Sequence, residues 1–344
     1  MIPKGIQDKI GRNLYQQKNH PISIVKNLIF EHCFQHFYRA EGLDPIVTTW
    51  ANFDSLLIPG DHPSRSKSDT YYVDEDHVLR THTSAHQVEL LRKGWRSFLV
   101  CGDVYRKDDI DATHYPVFHQ LEGVHVCPNA IRGEEVVAEL QARMVEMVHA
   151  LFGPNAPFRF VPDHFPFTNP SFEMDVQHEG RWLEVAGCGV MRPEVLVAGG
   201  LDGNYPGWAF GLGLDRLAMA LFKIPDIRLL WSQDRRFLDQ FCEGVVSTFA
   251  PFSKHPSCYK DVSFWVSDRF NRNEAHSMMR ELAGDLLEQV EIRDIFEHPV
   301  TGRVSLLYRL YYRSFERTLT DEEVNPIQEA IRTMLVVRFG VELR

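Results

Sequence analysis

GDVYRKDDIDATHYPVFHQLEG, residues 102–123, reads as a strand, a polar loop and a return strand. The outgoing strand extends back through "RSFLVCGDVYR" (96–106) and the return strand forward through "YPVFHQLEGVHV" (115–126). Two such runs joined by a short polar loop pair antiparallel. Alternate residues of a strand share a face, so Phe118, Gln120 and Glu122 stand in one row and His119 and Leu121 in the other. A ring, an amide and a carboxylate in line suit an ammonium group carried on an apolar molecule. The same row also describes a strand face open to water. Arg106 closes the outgoing strand and His114 precedes the return. Together they offer a phosphate its donors and charge, or form a charged loop in water.

Outward from the hairpin, "SFEMDVQHEGRWLEVAGCGV" (171–190) is a second hairpin, turning at Glu179 and Gly180. "GWAFGLG" (207–213) reads as a strand leading into the helix "LDRLAMALF" (214–222). Helices are expected over 21–39, where Ile24, Leu28, Cys33 and Phe37 recur near helical spacing, and over 133–153. Another is expected over 83–95, with Ser84 and Gln87 at capping-box spacing. Strands pair with their sequence neighbours and do not alternate regularly with helices, which predicts an α+β fold and not a doubly wound parallel sheet. The character changes at "FAPFSKHPS" (249–257). Beyond it the order is β-α-β-β-α-β, the pattern of ferredoxin-like domains. Thr320 and Glu323 mark the last helix start, and Pro326 is expected to kink that helix. The expected division is therefore 1–248 and 249–344.

Composition narrows the function. The 344 residues carry a formal net charge of −10, so the chain is no general polyanion binder, and contact with nucleic acid needs local clusters. The tail from residue 250 onward is not basic either, with 13 lysines and arginines against 15 aspartates and glutamates. Its best cluster is "YRLYYRSFER", in which Arg309 and Arg313 alternate with their neighbours beside Tyr311 and Phe315; a strand with one wet face has the same pattern. Six cysteines stand singly with no C-x-x-C pair, which predicts neither a disulfide framework nor a structural zinc site. No apolar run approaches the roughly 20 residues that span a bilayer, so no membrane partner is expected.

Three further stretches bear on chemistry. Arg216 lies in the first turn of its helix, where a cation opposes the helix dipole by a few tenths up to about 1 kcal/mol. A bound anion reverses that sign; alternatively the side chain turns to Asp215 or Glu184. "FPFTNPSFE" (165–173) places Phe165 and Phe167 on one side of an extended segment, able to grip a flat ring or to fill the core. "THTS" (81–84) brings His82 and Ser84 to a helix start, and the small residues of "AGCGV" (186–190) permit close approach to the backbone.

Four ordered stretches, "NFDSLLIPGDHPSRSKSDTYY", "LRTHTSAHQ", "GDVYRKDDIDATHYPVFHQLEG" and "GWAFGLGLDRLAMALFKIPDIRLLW", resemble the class II aminoacyl-tRNA synthetases, specifically the single-chain mitochondrial-type phenylalanyl-tRNA synthetases. The tail joins the resemblance through "FSKHPS", "DVSFWV" and "RTLTDEEV". It implies a catalytic domain over 1–248, built on an antiparallel sheet with flanking helices, and a ferredoxin-fold anticodon-binding domain over 249–344. It implies ATP and phenylalanine as substrates, Mg²⁺, tRNA(Phe) as partner, a monomer, and the mitochondrial matrix. Residue by residue, it implies that Arg106 and Arg216 are catalytic and bind ATP together with His114 and Phe118. His82, Ser84, Gln120 and Glu122 would hold the substrate ammonium, and Phe165, Phe167 and Ala209 its ring. Glu184 would bind the metal, and Arg309 and Arg313 the tRNA. "CPNAIRGEEV" (127–136) is shorter than the corresponding stretch of longer relatives, while Cys188 in "GCG" fits the mitochondrial type. The alternative is a synthetase-like RNA-binding protein without catalysis; the intact set of Arg106, Gln120, Glu122 and Arg216 argues against it, since such a loss would be expected to strip the arginines first.

Overall fold

The alternation around residues 97–126 is realised as two long antiparallel strands at the heart of the molecule. The computed structural model describes residues 2–127, 133–202, 204–252 and 254–344. In chain order the body contains β1 (Tyr38–Glu41), β2 (Ile46–Thr48), β3 (His77–Leu79), β4 (Ser97–Tyr105), β5 (Val117–Val126), β6 (Phe158–Asp163), β7 (Thr168–His178), β8 (Arg181–Met191) and β9 (Gly207–Gly213). The tail adds β10 (Cys258–Trp265), β11 (Leu287–Glu297), β12 (Val304–Tyr312) and β13 (Glu342–Leu343).

Seven strands of the body form one sheet in the order β1-β4-β5-β9-β8-β7-β6. Only β1 pairs parallel, along β4; every other neighbour is antiparallel. The β7–β8 hairpin turns at Glu179 and Gly180, both with positive φ (48° and 78°), as a two-residue turn of the primed kind requires. Helices Pro21–Cys33, Glu134–Phe152 and Leu214–Phe222 cover one face of this sheet and bury a continuous core with it, including Tyr15, Phe34, Leu140, Met144, Trp208 and Phe222. The other face stays partly open.

The tail folds as β-α-β-β-α-β, with its sheet in the order β11-β12-β10-β13 and helices Arg272–Ala283 and Asp321–Phe339. The capping box of Thr320 and Glu323 forms, and the helix it starts continues through Pro326 to Phe339.

Two expectations need correction. The helix expected over 21–39 stops at Cys33. The chain turns there, Phe34 and Phe37 pack edge to face at 5.1 Å, and Tyr38 enters the edge strand β1. Phe37 was therefore apolar for the turn and not for the helix. The helix expected over 83–95 is a 3₁₀ turn (Thr83–His86) followed by a short α-helix (Gln87–Arg92). No Ser84–Gln87 capping box exists, because both side chains turn to Glu122. A buried carboxylate left without donors costs more than an uncapped helix end.

Candidate active site

A cleft of about 720 Å³ opens on the uncovered face of the body sheet. The β5 row of Phe118, Gln120 and Glu122 lines its floor, and His82, Ser84, Arg106, His114, Phe165, Phe167, Ala209, Glu184 and Arg216 line it as well. The body residues expected from sequence to act together thus meet in one cavity.

At the centre, Glu122 is 2% exposed. It accepts hydrogen bonds from Ser84 Oγ, from Gln87 Nε2 at 2.8 Å and from Thr83 Oγ1 at 3.4 Å. Burial pushes its pKa up to about 7, against the pull of those three donors. Gln120 Oε1 accepts from the Thr83 backbone N–H at 3.2 Å. Among the described residues, the Gln87 side-chain oxygen Oε1 and both ring nitrogens of His82 are buried without a hydrogen-bond partner. His82 is held neutral, its pKa lowered to about 3 by burial and then by the Arg106 charge. One carboxylate, the Gln87 Oε1 and the lone-pair nitrogen of a neutral His82 in one pocket call for a donor that carries positive charge. Gln87 belongs to this set although the sequence reading gave it only a capping role.

The segment carrying Thr81 to Gln87 is pinned by Arg80, which is fully buried. Its guanidinium bonds Asp103 Oδ1 and the Asp103 carbonyl, each at 2.7 Å, and donates to His86 Nε2 at 3.0 Å. Gly102 makes room for it: a Cβ there would stand 2.2 Å from Arg80 Nη2.

At one end of the cleft three cationic or donor groups converge. Arg106 donates from Nε to the Thr81 carbonyl at 2.7 Å, and its guanidinium lies 5.1 Å from the Phe118 ring centroid. Arg216 donates to His114 Nε2 at 3.0 Å, and His114 Nδ1 meets Asp111 Oδ2 at 2.8 Å. Arg216 thus turns neither to Asp215 nor to Glu184; Asp215 is buried and accepts from the His119 backbone N–H at 2.6 Å. Among the described residues, neither Arg106 nor Arg216 forms an ion pair with a carboxylate. The hydrogen bond to Asp111 raises the His114 pKa, yet the guanidinium facing Nε2 requires a lone pair there. An anion between His114 and Arg216 would let both act as donors.

At the other end the Phe165 and Phe167 rings lie 6.2 Å apart at 22°. Phe165 packs directly on Gly187, where a Cβ would approach its ring to 2.8 Å. The small residues of β8 therefore admit this ring, in addition to any ligand. Ala209 is buried behind the cleft at 4% exposure. Glu184 is exposed on the cleft wall, and Glu173, passed over in the sequence reading, joins it there. Partial burial, and then the nearby charge of Glu184, raises the Glu173 pKa. Two carboxylates in mutual repulsion fit a hard divalent cation.

The tail arginines are paired with carboxylates of the tail itself. Arg309 holds Asp261 through Nε and Nη2, both at 2.8 Å, and lies 4.0 Å from the Tyr259 ring centroid. Arg313 pairs with Glu288 at 3.3 Å. Phe315 is half-buried and packs on the body core beneath Arg228. In "CPNAIRGEEV", residues 128–132 lie outside the described residues.

Comparison with known proteins agrees with this geometry. Residues 6–241 match the family described as tRNA synthetases class II core domain (F), and residues 253–344 match the ferredoxin-fold anticodon binding domain. A curated phenylalanine–tRNA ligase, chloroplastic/mitochondrial, of Arabidopsis thaliana is 49% identical across 100% of this chain and 82% of its own length. The mitochondrial phenylalanine–tRNA ligase of Mus musculus is 44% identical over 100% of this chain and 85% of its own. That of Saccharomyces cerevisiae is 38% identical over 97% of this chain and 89% of its own. Among solved structures, pyrrolysyl-tRNA synthetase from Desulfitobacterium hafniense shares the fold, with a TM-score of 0.50 at 19% identity over 66% of this chain and 77% of that one.

Proposed function

The chain belongs to the class II aminoacyl-tRNA synthetases, and from that premise we propose that it is a phenylalanine–tRNA ligase whose two substrates meet across the β5 row. One observation carries the reading. Arg106, His114 and Arg216 gather at one end of a single cleft, Glu122 sits at its centre, and a pair of phenylalanine rings stands beyond. ATP is the substrate at the cationic end. Phenylalanine occupies the other, with its ammonium on Glu122, Gln120, Ser84 and His82 and its ring against Phe165, Phe167 and Ala209.

In the first step the phenylalanine carboxylate oxygen attacks the α-phosphorus of ATP. The bond to the β-phosphate oxygen breaks, giving phenylalanyl-adenylate and pyrophosphate. Arg106 neutralises charge around the α-phosphate and the attacking carboxylate, Arg216 and His114 hold the outer phosphates, and Phe118 stacks on adenine. In the second step the 2′-hydroxyl of the terminal adenosine of tRNA(Phe) attacks the acyl carbon and AMP leaves. Neither step requires a protein nucleophile; placement and fixed charge lower the barrier. Glu184 and Glu173 would hold Mg²⁺, which supplies further neutralisation of the phosphates.

Residues 1–248 would act as the catalytic unit and 249–344 as the anticodon-binding unit, with Arg309 and Arg313 exchanging their carboxylate partners for tRNA phosphates. The reading includes a monomer working in the mitochondrial matrix; no helix among the described residues is long and apolar enough to cross a membrane. A stable dimer in sedimentation would remove the monomer from this reading.

The test is pyrophosphate exchange into ATP without tRNA, each of the twenty amino acids supplied singly. Exchange with phenylalanine, tyrosine a distant second, is the expected result. A folded protein that binds tRNA but exchanges with no amino acid would instead be a non-catalytic RNA binder. Arg216→Ala is expected to fold normally and to lose about 10²–10³ in exchange rate.

A further inference from the structure

On the helix-covered face of the sheet, away from the cleft, a second cluster has no part in the chemistry above. His125 is the last but one residue of β5 and Cys127 the first beyond it, its N–H still bonded to the Pro206 carbonyl at 2.8 Å, so the two share the face opposite Gln120 and Glu122. Glu139 reaches them from helix Glu134–Phe152. The three side chains bring a ring nitrogen, a thiol sulfur and a carboxylate oxygen within 4.8 Å of one another. His125 Nε2 lies 3.6 Å from Glu139 Oε1, and Cys127 Sγ lies 3.7 Å from Glu139 Oε2. Donors arranged tetrahedrally around zinc stand about 3.3–3.6 Å apart, given bond lengths of about 2.0–2.3 Å.

We propose that His125, Cys127 and Glu139 form a binding site for a borderline-soft divalent cation, Zn²⁺, that clips the end of β5 to helix Glu134–Phe152.

The surroundings fit a built site. The other ring nitrogen, His125 Nδ1, bonds Ser97 Oγ at 2.7 Å, which turns Nε2 toward the other two donors. The imidazole is also held against Phe37 (5.7 Å, 30°) and Trp208 (5.2 Å, 44°). Cys127 is 1% exposed, while the His125 and Glu139 side chains are 21% and 30% exposed, so the ion has a path in and water a place at the fourth position. The nearest cation on the helix, Arg143, turns to Glu146 at 3.0 Å. Thiolate with imidazole selects zinc over the hard Mg²⁺ suited to Glu173 and Glu184. On binding, the Zn–S bond forms as the Cys127 thiol gives up its proton to solvent. The absence of any C-x-x-C pair had pointed away from zinc, but strand alternation and a helix supply the three donors without one.

The test uses the full chain stripped of metal and titrated with Co²⁺, then Zn²⁺, without ATP. One equivalent of Co²⁺ is expected to give a thiolate-to-cobalt charge-transfer band that Zn²⁺ abolishes. Zn²⁺ at about a hundredfold excess over its dissociation constant is expected to raise the melting midpoint by a few degrees. Cys127→Ser loses the band. Glu139→Gln, on a half-exposed helix face, keeps the thiol and weakens binding at least about tenfold. Cys242→Ser changes neither. Pyrophosphate exchange is unaltered in all three. No charge-transfer band, or a band that survives Cys127→Ser, would leave the cluster as a hydrogen-bonded network only and overturn the proposal.

Discussion

Among the described residues, Glu122 combines full burial, three neutral donors and no cation. Desolvation outweighs the donors and lifts its pKa to about 7 from an ordinary 4.5. The linkage has a definite sign. The folded pKa is raised, so the stabilisation is complete below about pH 4.5 and is lost as pH rises through about 7. The amino-acid-free protein is therefore expected to melt higher at pH 6 than at pH 8 by more than its Glu122→Gln variant does. Phenylalanine should erase that difference, since its ammonium supplies the missing cation. The same ionisation sets affinity: at saturating ATP, KM for phenylalanine should climb toward tenfold per pH unit below about 7. His82 is held neutral and stays out of this titration. A flat KM profile would mean that the ammonium binds elsewhere. Gln120, Glu122 and Arg216 were legible in the sequence because each breaks a local rule, a polar row on a strand or a cation at a helix start. Gln87 and Glu173 were not, because their partners, Glu122 and Glu184, lie far along the chain or across a hairpin.

At the scale of elements, the site depends on a segment that is barely helical. Residues 81–87 are fixed by hydrogen bonds to Asn52, Gln120 and Glu122 and, at His86, by Arg80, whose guanidinium spans Asp103, His86 and the Leu43 carbonyl. Burial, and then Arg80, lowers the His86 pKa to about 4, so its ring accepts as a neutral imidazole. Gly102→Ala is expected to drive a methyl into Arg80 Nη2, which has no room to withdraw. Breaking such a buried pair costs about 3–5 kcal/mol, readable in denaturant unfolding, and activity should fall with it. An alanine variant of unchanged stability would show that Arg80 is not the clamp. Most elements were legible because period 2 or 3.6 runs unbroken through them: β4, β5, β9 with its helix, and all of the tail. The edge strand β1 was not, since its four residues pair parallel with a distant strand and carry no alternation of their own. The lost capping box has the same origin: Ser84 and Gln87 had the right local spacing, and a long-range carboxylate outcompeted it.

At the scale of the whole molecule, the tail grips the loop between β4 and β5. Ile110 is 1% exposed and packs inside the tail's own core, beside Val290 and Tyr308. Its carbonyl accepts from the Val290 N–H at 2.9 Å, and the Asp109 carbonyl accepts from Arg280 at 3.1 Å. Arg272 pairs with Asp109 at 3.0 Å, and Asn273 reaches Asp69 at 2.8 Å. A second tether runs through Asp285, which accepts from Tyr115 Oη at 2.5 Å and, at its carbonyl, from Arg228 at 2.8 Å. Asp111 and His114 belong to the loop between these anchors, so the phosphate end of the cleft is positioned partly by the tail. Ile110→Ala removes a buried side chain at a cost of about 2–5 kcal/mol, drawn from the seam and the tail core. It is expected to raise KM for ATP well above any change in KM for phenylalanine, because Glu122 hangs from β5 and not from the loop. X-ray scattering should show a larger radius of gyration at the same time. Arg309→Ala, on the wet face of the tail, should leave both KM values alone and weaken only aminoacylation of tRNA. If Ile110→Ala loosens the seam but leaves the ATP KM unchanged, the hairpin alone sets Asp111 and His114, and the tail's grip serves tRNA placement instead.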